Sequence, residues 1–163
     1  MQPTTLGDVS FWYADIGLPQ SRRPALRADT QVDVAIIGAG YTGLWTAYYL
    51  KKAQPDLRVA IVEKDFAGFG ASGRNGGWCM GTFAWNHEAY ARATSRAAVL
   101  QMVQELEATV PEIARVCQAE GIDADMLPTE EMMVATNPAQ LARMKAEIAH
   151  RSHWGDGHRI REL

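Results

Sequence analysis

Between Gln31 and Ile37 the chain carries a short, mostly apolar run, QVDVAII, that stops at a glycine. Its length and β-branched content predict a strand, and so continuous an apolar run predicts one buried on both faces in a parallel sheet. Past the glycines the period changes. Leu44, Ala47, Tyr48 and Leu50 recur at helical spacing and predict a helix over 42–52, which Gln54-Pro55-Asp56 ends. Residues 58–62, RVAIV, predict a second strand. Strand, glycine turn, helix and strand make one βαβ unit with parallel strands and a right-handed crossover.

Downstream, a glycine-rich loop fills 66–81. Val99, Val103, Leu106, Val110, Ile113 and Cys117 then form a helical stripe within a long helical region over 88–119. Pro111 should kink or split that region, and Gly121 is placed to end it. Residues 124–127 and 131–136 predict two short antiparallel strands. Asn137-Pro138-Ala139-Gln140 has the signature of a helix start, with Leu141, Met144 and Ile148 on the inner face that follows. Residues 1–28 mix Phe11, Trp12 and Tyr13 with prolines and show no period. They predict an irregular arm whose rings pack on the domain behind it. The fold class is therefore α/β: a Rossmann-like dinucleotide-binding βαβ domain over 29–121, a long helical segment within it, and the beginning of an α+β domain over 122–163.

Composition narrows the function classes. A chain of 163 residues can bury one core, and a net charge of −3 gives no reason to expect nucleic acid or an anionic membrane as partner. No apolar run is long enough to predict a transmembrane segment. The opening MQPTTLGDVS lacks the basic and apolar regions of a Sec signal, and Ser21-Arg22-Arg23 precedes no apolar core, so it reads as a basic surface turn. Cys79 and Cys117 are isolated, which predicts a reducing compartment, the cytoplasm. Nothing in the sequence sets the oligomeric state.

Chemistry enters with Gly38, Ala39, Gly40, Tyr41, Thr42 and Gly43, a Gly-x-Gly-x-x-Gly pattern between strand and helix. The first glycine permits a tight turn, the second lets a pyrophosphate approach the backbone, and the third allows helix and strand to pack closely. Free amides and the positive end of the helix dipole would face the phosphates. Glu63 lies twenty residues past Gly43, at the end of the second strand, where a carboxylate can accept both hydroxyls of an adenosine ribose. The plainer alternative is a tight turn beside an exposed strand end. Glu63 argues against NADP, whose 2′-phosphate it would repel, but does not separate NAD from FAD.

The separating feature is Phe69-Gly70-Ala71-Ser72-Gly73-Arg74-Asn75-Gly76-Gly77-Trp78. A NAD dehydrogenase usually continues from its ribose acid into another helix and strand. Here a donor-rich loop follows within a few residues, able to run along a longer dinucleotide with Ser72 and Arg74 toward phosphate or ribityl oxygens. The alternative is a flexible surface loop, against which Trp78 and Cys79 argue for a buried, ordered path.

Asp33-Val-Ala-Ile-Ile-Gly-Ala-Gly, Val62-Glu63-Lys64 and Gly70-Ala-Ser-Gly-Arg-Asn-Gly-Gly77 together resemble the N-terminal part of the D-amino-acid-oxidase-like FAD-dependent oxidoreductases. The loop is similar to that of the γ-glutamylputrescine oxidoreductase branch, near glycine and sarcosine oxidases. The resemblance implies FAD as cofactor, bound non-covalently, and a small-molecule amine or amino acid as substrate. It implies oxidation of a C–N bond, with hydride passing to the flavin, an imine as product and oxygen as the usual final acceptor. Gly38, Gly40 and Gly43 would line the pyrophosphate, Glu63 would hold the ribose and Lys64 would flank the adenine. Ala71, Ser72, Arg74, Asn75 and Gly76 would run beside the phosphates toward the isoalloxazine. Members of the family are considerably longer, so the chain is expected to be an N-terminal fragment, with 122–163 opening a substrate domain and little activity alone. Two alternatives stay open: a NAD-dependent dehydrogenase domain and a non-catalytic nucleotide-binding fragment.

No catalytic residue can be named from the sequence. His150-x-x-His153 with Asp156 and His158 invites a metal, but nearby glycines and arginines favour a solvated helix end, so no metal is expected. His87 reads as a capping or surface residue, and Trp45, Tyr48 and Tyr49 as packing residues.

Overall fold

A computed structural model describes residues 10–19, 22–83, 86–155 and 157–163. The readings that rest on 1–9, on Ser21 and on Asp156 lie outside these residues. The chain divides into two compact units, Met1–Trp78 and Cys79–Leu163.

In the first unit a short helix α1 (Phe11–Ile16) precedes β1 (Val34–Ile37), α2 (Tyr41–Ala53) and β2 (Val59–Val62). The arm is thus not wholly irregular. Ser10 caps α1 by accepting from the Tyr13 amide, a local signal that an aperiodic stretch conceals. The two strands pair in parallel, Val34 beside Val59 and Ile37 beside Val62. At the start of the sheet Arg58 Nε and Nη2 donate to the Asp33 carboxylate at 3.1 and 2.8 Å, and the Arg58 amide adds a third bond at 2.8 Å. Those bonds hold the Asp33 carboxyl down from 3.8 to about 2. The expectation that β1 is buried on both faces is corrected. Val34 and Ile36 are half-buried while Ala35 and Ile37 are exposed, Ile37 at 94%. With one neighbouring strand and α2 over one face, alternation shows through the apolar run. For the same reason Leu44, expected on the inner face of α2, is exposed, and Gly43 is the residue α2 buries.

Gly43 is the tightest point of this unit. A methyl group there would lie 2.1 Å from the Gly38 carbonyl oxygen and 3.2 Å from Ile36 Cγ2. Gly38 itself has φ +98°, which favours glycine.

The second unit is helical: α3 (His87–Ala93), α4 (Arg96–Glu120) and α5 (Pro138–His153). The expected stripe faces inward along α4, with Val99 and Val103 buried; near its end Val116 rather than Cys117 is the most enclosed. The helix runs through Pro111, and the break falls earlier, at Thr94 and Ser95. Proline removes one backbone donor, whereas Ser95 supplies a cap, accepting from the Ala98 amide at 3.1 Å, that starts a new helix outright. Gly121 ends α4 in the left-handed region at φ +63°, and the Ile122 amide returns to Cys117 O at 2.8 Å. The expected strand pair over 124–127 and 131–136 is absent; 122–136 carry no regular structure. An isolated pair of short strands is marginal without a third strand or a packed face, and Leu127, Met132, Met133 and Val134 are exposed. Asn137 caps α5 as expected, while Gln140 Oε1 accepts from the Thr136 amide at 2.7 Å.

The Gly43 contact gives a direct test. Alanine favours a helix over glycine by about 1 kcal/mol. Overpacking against backbone costs about 1–3 kcal/mol, and at 2.1 Å the clash wins. Gly43→Ala should therefore lower stability in urea denaturation; a raised midpoint would show that the turn yields freely.

Candidate nucleotide-binding site

The glycine turn lies between β1 and α2, and the first amides of a helix have no carbonyl within the helix to receive them. Side chains from elsewhere in the unit take two of the turn's donors. The Ala39 N–H donates to Glu63 Oε2 at 2.9 Å, and the Tyr41 N–H donates to Ser72 Oγ at 3.0 Å. The Gly38 amide donates to Val62 O at 2.8 Å and so extends the sheet into the turn. Glu63, just past β2, also accepts from the Asp65 amide at 3.1 Å. The Ala39 bond is the largest cause of a carboxyl pKa below the ordinary 4.5, followed by the Asp65 bond. Glu63 is thus anchored and ionised at neutral pH. A carboxylate has about four acceptor positions, so hydrogen bonds from two amides leave capacity for hydroxyl donors.

The second glycine loop folds against the same turn. A short 3-10 turn, Ala71–Gly73, carries Ser72 to the start of α2. The approach is close, since a methyl group at Gly40 would lie 3.0 Å from Ser72 Oγ. The Gly68 amide donates to Ala39 O at 2.9 Å, a second tie between loop and turn. Asn75 Nδ2 donates to Ser72 O at 3.0 Å and meets Tyr41 Oη at 3.4 Å, while its Oδ1 accepts from the Gly77 amide. Arg74 turns back on its own loop. Its Nε donates to Phe69 O at 2.8 Å and its guanidinium stacks over the Phe69 ring at 4.6 Å, leaving further N–H donors on the fork. Gly70, Ala71, Arg74 and Asn75 line an open concavity of about 610 Å³.

The structure therefore brings Ala39, Gly40, Tyr41, Glu63, Ser72 and Asn75 together. Thr42 lies exposed in the first turn of α2 and Lys64 exposed after Glu63. Gly76 continues the loop, exposed, between Asn75 and Gly77; the expectation that Trp78 and Cys79 mark a buried path is corrected, since Trp78 is 73% exposed and Cys79 is exposed too.

In the second unit, the reading of His87 as a capping or surface residue is corrected. It is buried, stacks on Trp154 and meets Phe83 edge-on, while Asn86 supplies the cap of α3. His87 Nδ1 lies 3.3 Å from His150 Nε2, and Trp154 Nε1 donates to Glu88 Oε1 at 3.2 Å. The sequence hint was the apolar company of His87 and His150 at helix ends, which spacing alone does not connect. No group of three metal-ligating side chains converges among the described residues. No helix among them is long and apolar enough to cross a membrane.

Parallel strands joined through a glycine turn and a helix form the βαβ unit of Rossmann-like nucleotide-binding folds. A family model described as FAD dependent oxidoreductase (DAO) matches residues 33–163, and the chain belongs to that family. It is 30% identical over 152 residues to γ-glutamylputrescine oxidoreductase of Escherichia coli, a match covering 91% of this chain and 34% of that protein. Sarcosine oxidase subunit beta of Rhodobacter capsulatus is 54% identical over 43 residues, 26% of this chain and 10% of its own. Thiamine thiazole synthase of Aspergillus oryzae is 68% identical over 31 residues, 19% of this chain and 10% of its own. The chain thus spans about a third of the length of the E. coli relative. No solved structure matches.

The Glu63 anchor predicts a pH signature. A depressed carboxyl pKa contributes stability fully above the unfolded value and loses it as pH falls through the folded one. The stability difference between the parent and Glu63→Gln should be constant from pH 7 to about 5 and shrink below 4.5. Urea titrations at each pH check this, and a difference that stays constant down to pH 3.5 would refute the anchor.

Proposed function

We propose that the chain contributes the FAD-binding part of an oxidoreductase that oxidises the C–N bond of a small amine or amino acid. The observation that carries the cofactor assignment is the convergence of Glu63 and Ser72 on amides of one glycine turn. These bonds hold the turn in shape; the amides at the start of α2 that have no partner within the helix suit the oxygens of a diphosphate, and the remaining capacity of Glu63 suits ribose hydroxyls. In this reading Gly38, Gly40 and Gly43 make room for the pyrophosphate. Ala39, Tyr41 and Thr42 frame it at the start of α2, with Lys64 beside the adenine. Gly70, Ala71, Ser72, Arg74, Asn75 and Gly76 border the path toward the flavin ring. The N–H donors of Arg74 that are not spent on Phe69 O would meet a phosphate.

Bound FAD would supply the two-electron acceptor, taking hydride from the carbon beside nitrogen as the C–N bond becomes an imine, with oxygen as the proposed final acceptor. The chain's own residues bind and orient; no described residue is assigned as the base. The substrate class is supported by the names of the relatives, γ-glutamylputrescine oxidoreductase and sarcosine oxidase. Residues 122–163 are proposed as the opening of a substrate-binding domain, and cytoplasm as the compartment. The second loop, hydrogen-bonded to the turn just after β2, favours FAD over NAD, because it prolongs the site beyond the adenosine half that the two share.

The purified protein should develop a flavin band near 450 nm on incubation with FAD, whereas NADH fluorescence should not change. Glu63→Ala should weaken FAD binding by about tenfold or more, since hydrogen bonds to a charged group are worth about 1.5–3 kcal/mol. A parent protein that binds NADH and leaves FAD in solution would overturn the assignment.

A further inference from the structure

The N-terminal arm grips the second glycine loop through side chains that all donate to loop carbonyls. Ser10 Oγ reaches Gly73 O at 3.2 Å, Trp12 Nε1 reaches Asn75 O at 2.6 Å, and Tyr13 Oη reaches Gly68 O at 3.0 Å. A buried tyrosine hydroxyl needs an acceptor whatever its ring does; here the arm's three donors all find theirs on one loop, 55 to 63 residues away in sequence. The loop is shaped to receive them. A methyl group at Gly73 would lie 2.5 Å from Tyr13 Oη. Tyr13 is buried, its ring edge-on to Phe66 at 5.2 Å.

These bonds also orient amides. In a trans peptide the carbonyl and the following N–H point opposite ways, and no peptide bond here is cis. Holding Gly68 O and Gly73 O on the arm turns the Phe69 and Arg74 amides inward, where they donate to Phe66 O and Ala71 O at 3.1 and 3.2 Å. Those bonds close the turns that present Ser72. Holding Asn75 O on Trp12 turns the Gly76 amide away from the arm. Three loop carbonyls, of Gly68, Gly73 and Asn75, are thus held on the arm, so their negative dipole ends are not offered to an approaching anion.

We propose that Ser10, Trp12 and Tyr13 are positioning residues for the cofactor, holding loop 66–77 in the shape in which Ser72 reaches the glycine turn. This rests on the FAD reading above. A loop ordered before binding spares the ligand the entropy of ordering it, so loss of the grip should appear as weaker affinity and as a looser cofactor-free loop.

The test uses the full chain with Tyr13→Phe, which keeps the ring against Phe66 and removes only the hydroxyl, with Trp12→Phe, and with both together. Trypsin cleavage after Arg74 in the cofactor-free protein, followed by mass spectrometry, reads the loop; cleavage after Arg143 in α5 is the internal reference. Flavin fluorescence gives the Kd for FAD. In the double variant, cleavage after Arg74 should accelerate about fivefold or more, and the Kd should rise about five- to tenfold, as expected for two lost hydrogen bonds. Cleavage after Arg143 should stay unchanged, and Tyr13→Phe alone should move both readouts in the same direction. Unchanged cleavage after Arg74 would overturn the proposal. Faster cleavage with an unchanged Kd would also overturn it, because the grip would then order the loop without serving the cofactor. A parent protein that takes up no FAD would overturn the functional assignment itself, and the cleavage ratio would still decide whether the grip exists.

Discussion

Amides at the start of a helix must find acceptors outside it, and the first unit is organised around where those of α2 and its glycine turn go. One goes to a carboxylate just past β2 and another to a hydroxyl in the loop that follows, so a short stretch of backbone fixes the end of a strand and the course of a loop together. The geometry is available only because Gly38 accepts a positive φ and Gly43 has no side chain to meet the Gly38 carbonyl. The same concentration of donors that draws in Glu63 and Ser72 is what an anionic diphosphate requires. In the proposed reading, fold and binding therefore share one cause.

Electrostatics sets the limits of that site. Glu63 is kept ionised by amides rather than by a cationic partner, so it stays a pure acceptor. Such a group welcomes hydroxyls and repels phosphate, which suits a ribose and disfavours a 2′-phosphorylated one. On the loop, Arg74 is held by Phe69 through both its ring and its carbonyl, with further N–H donors left on the guanidinium fork. The arm completes the arrangement from the other side by collecting loop carbonyls.

How far the sequence reveals this depends on the range of each interaction. The glycine turn, its acid and the helix it opens are legible because their partners lie within one βαβ unit, whose spacing is fixed by the crossover. Caps at Asn137 and Gly121 are legible for the same reason. The break at Ser95 is legible in its capping hydroxyl, whereas Pro111, the more conspicuous signal, lies inside an unbroken helix. Contacts between Trp12 and Asn75, or between His87 and His150, leave no periodic trace, because they join distant positions through single side-chain atoms. The strand pair expected after Gly121 shows the opposite failure. Local pattern was present, but no packed face stands against Met132–Val134 to stabilise it.

The most direct measurement of the central claim is a map of backbone amide shifts as FAD is added to isotope-labelled protein. The account predicts that the largest changes fall on Ala39, Gly40 and Tyr41, on Glu63, and on the loop from Gly70 to Gly76, with NAD at equal concentration producing less. Changes centred on α4 and α5, with the glycine turn silent, would contradict it.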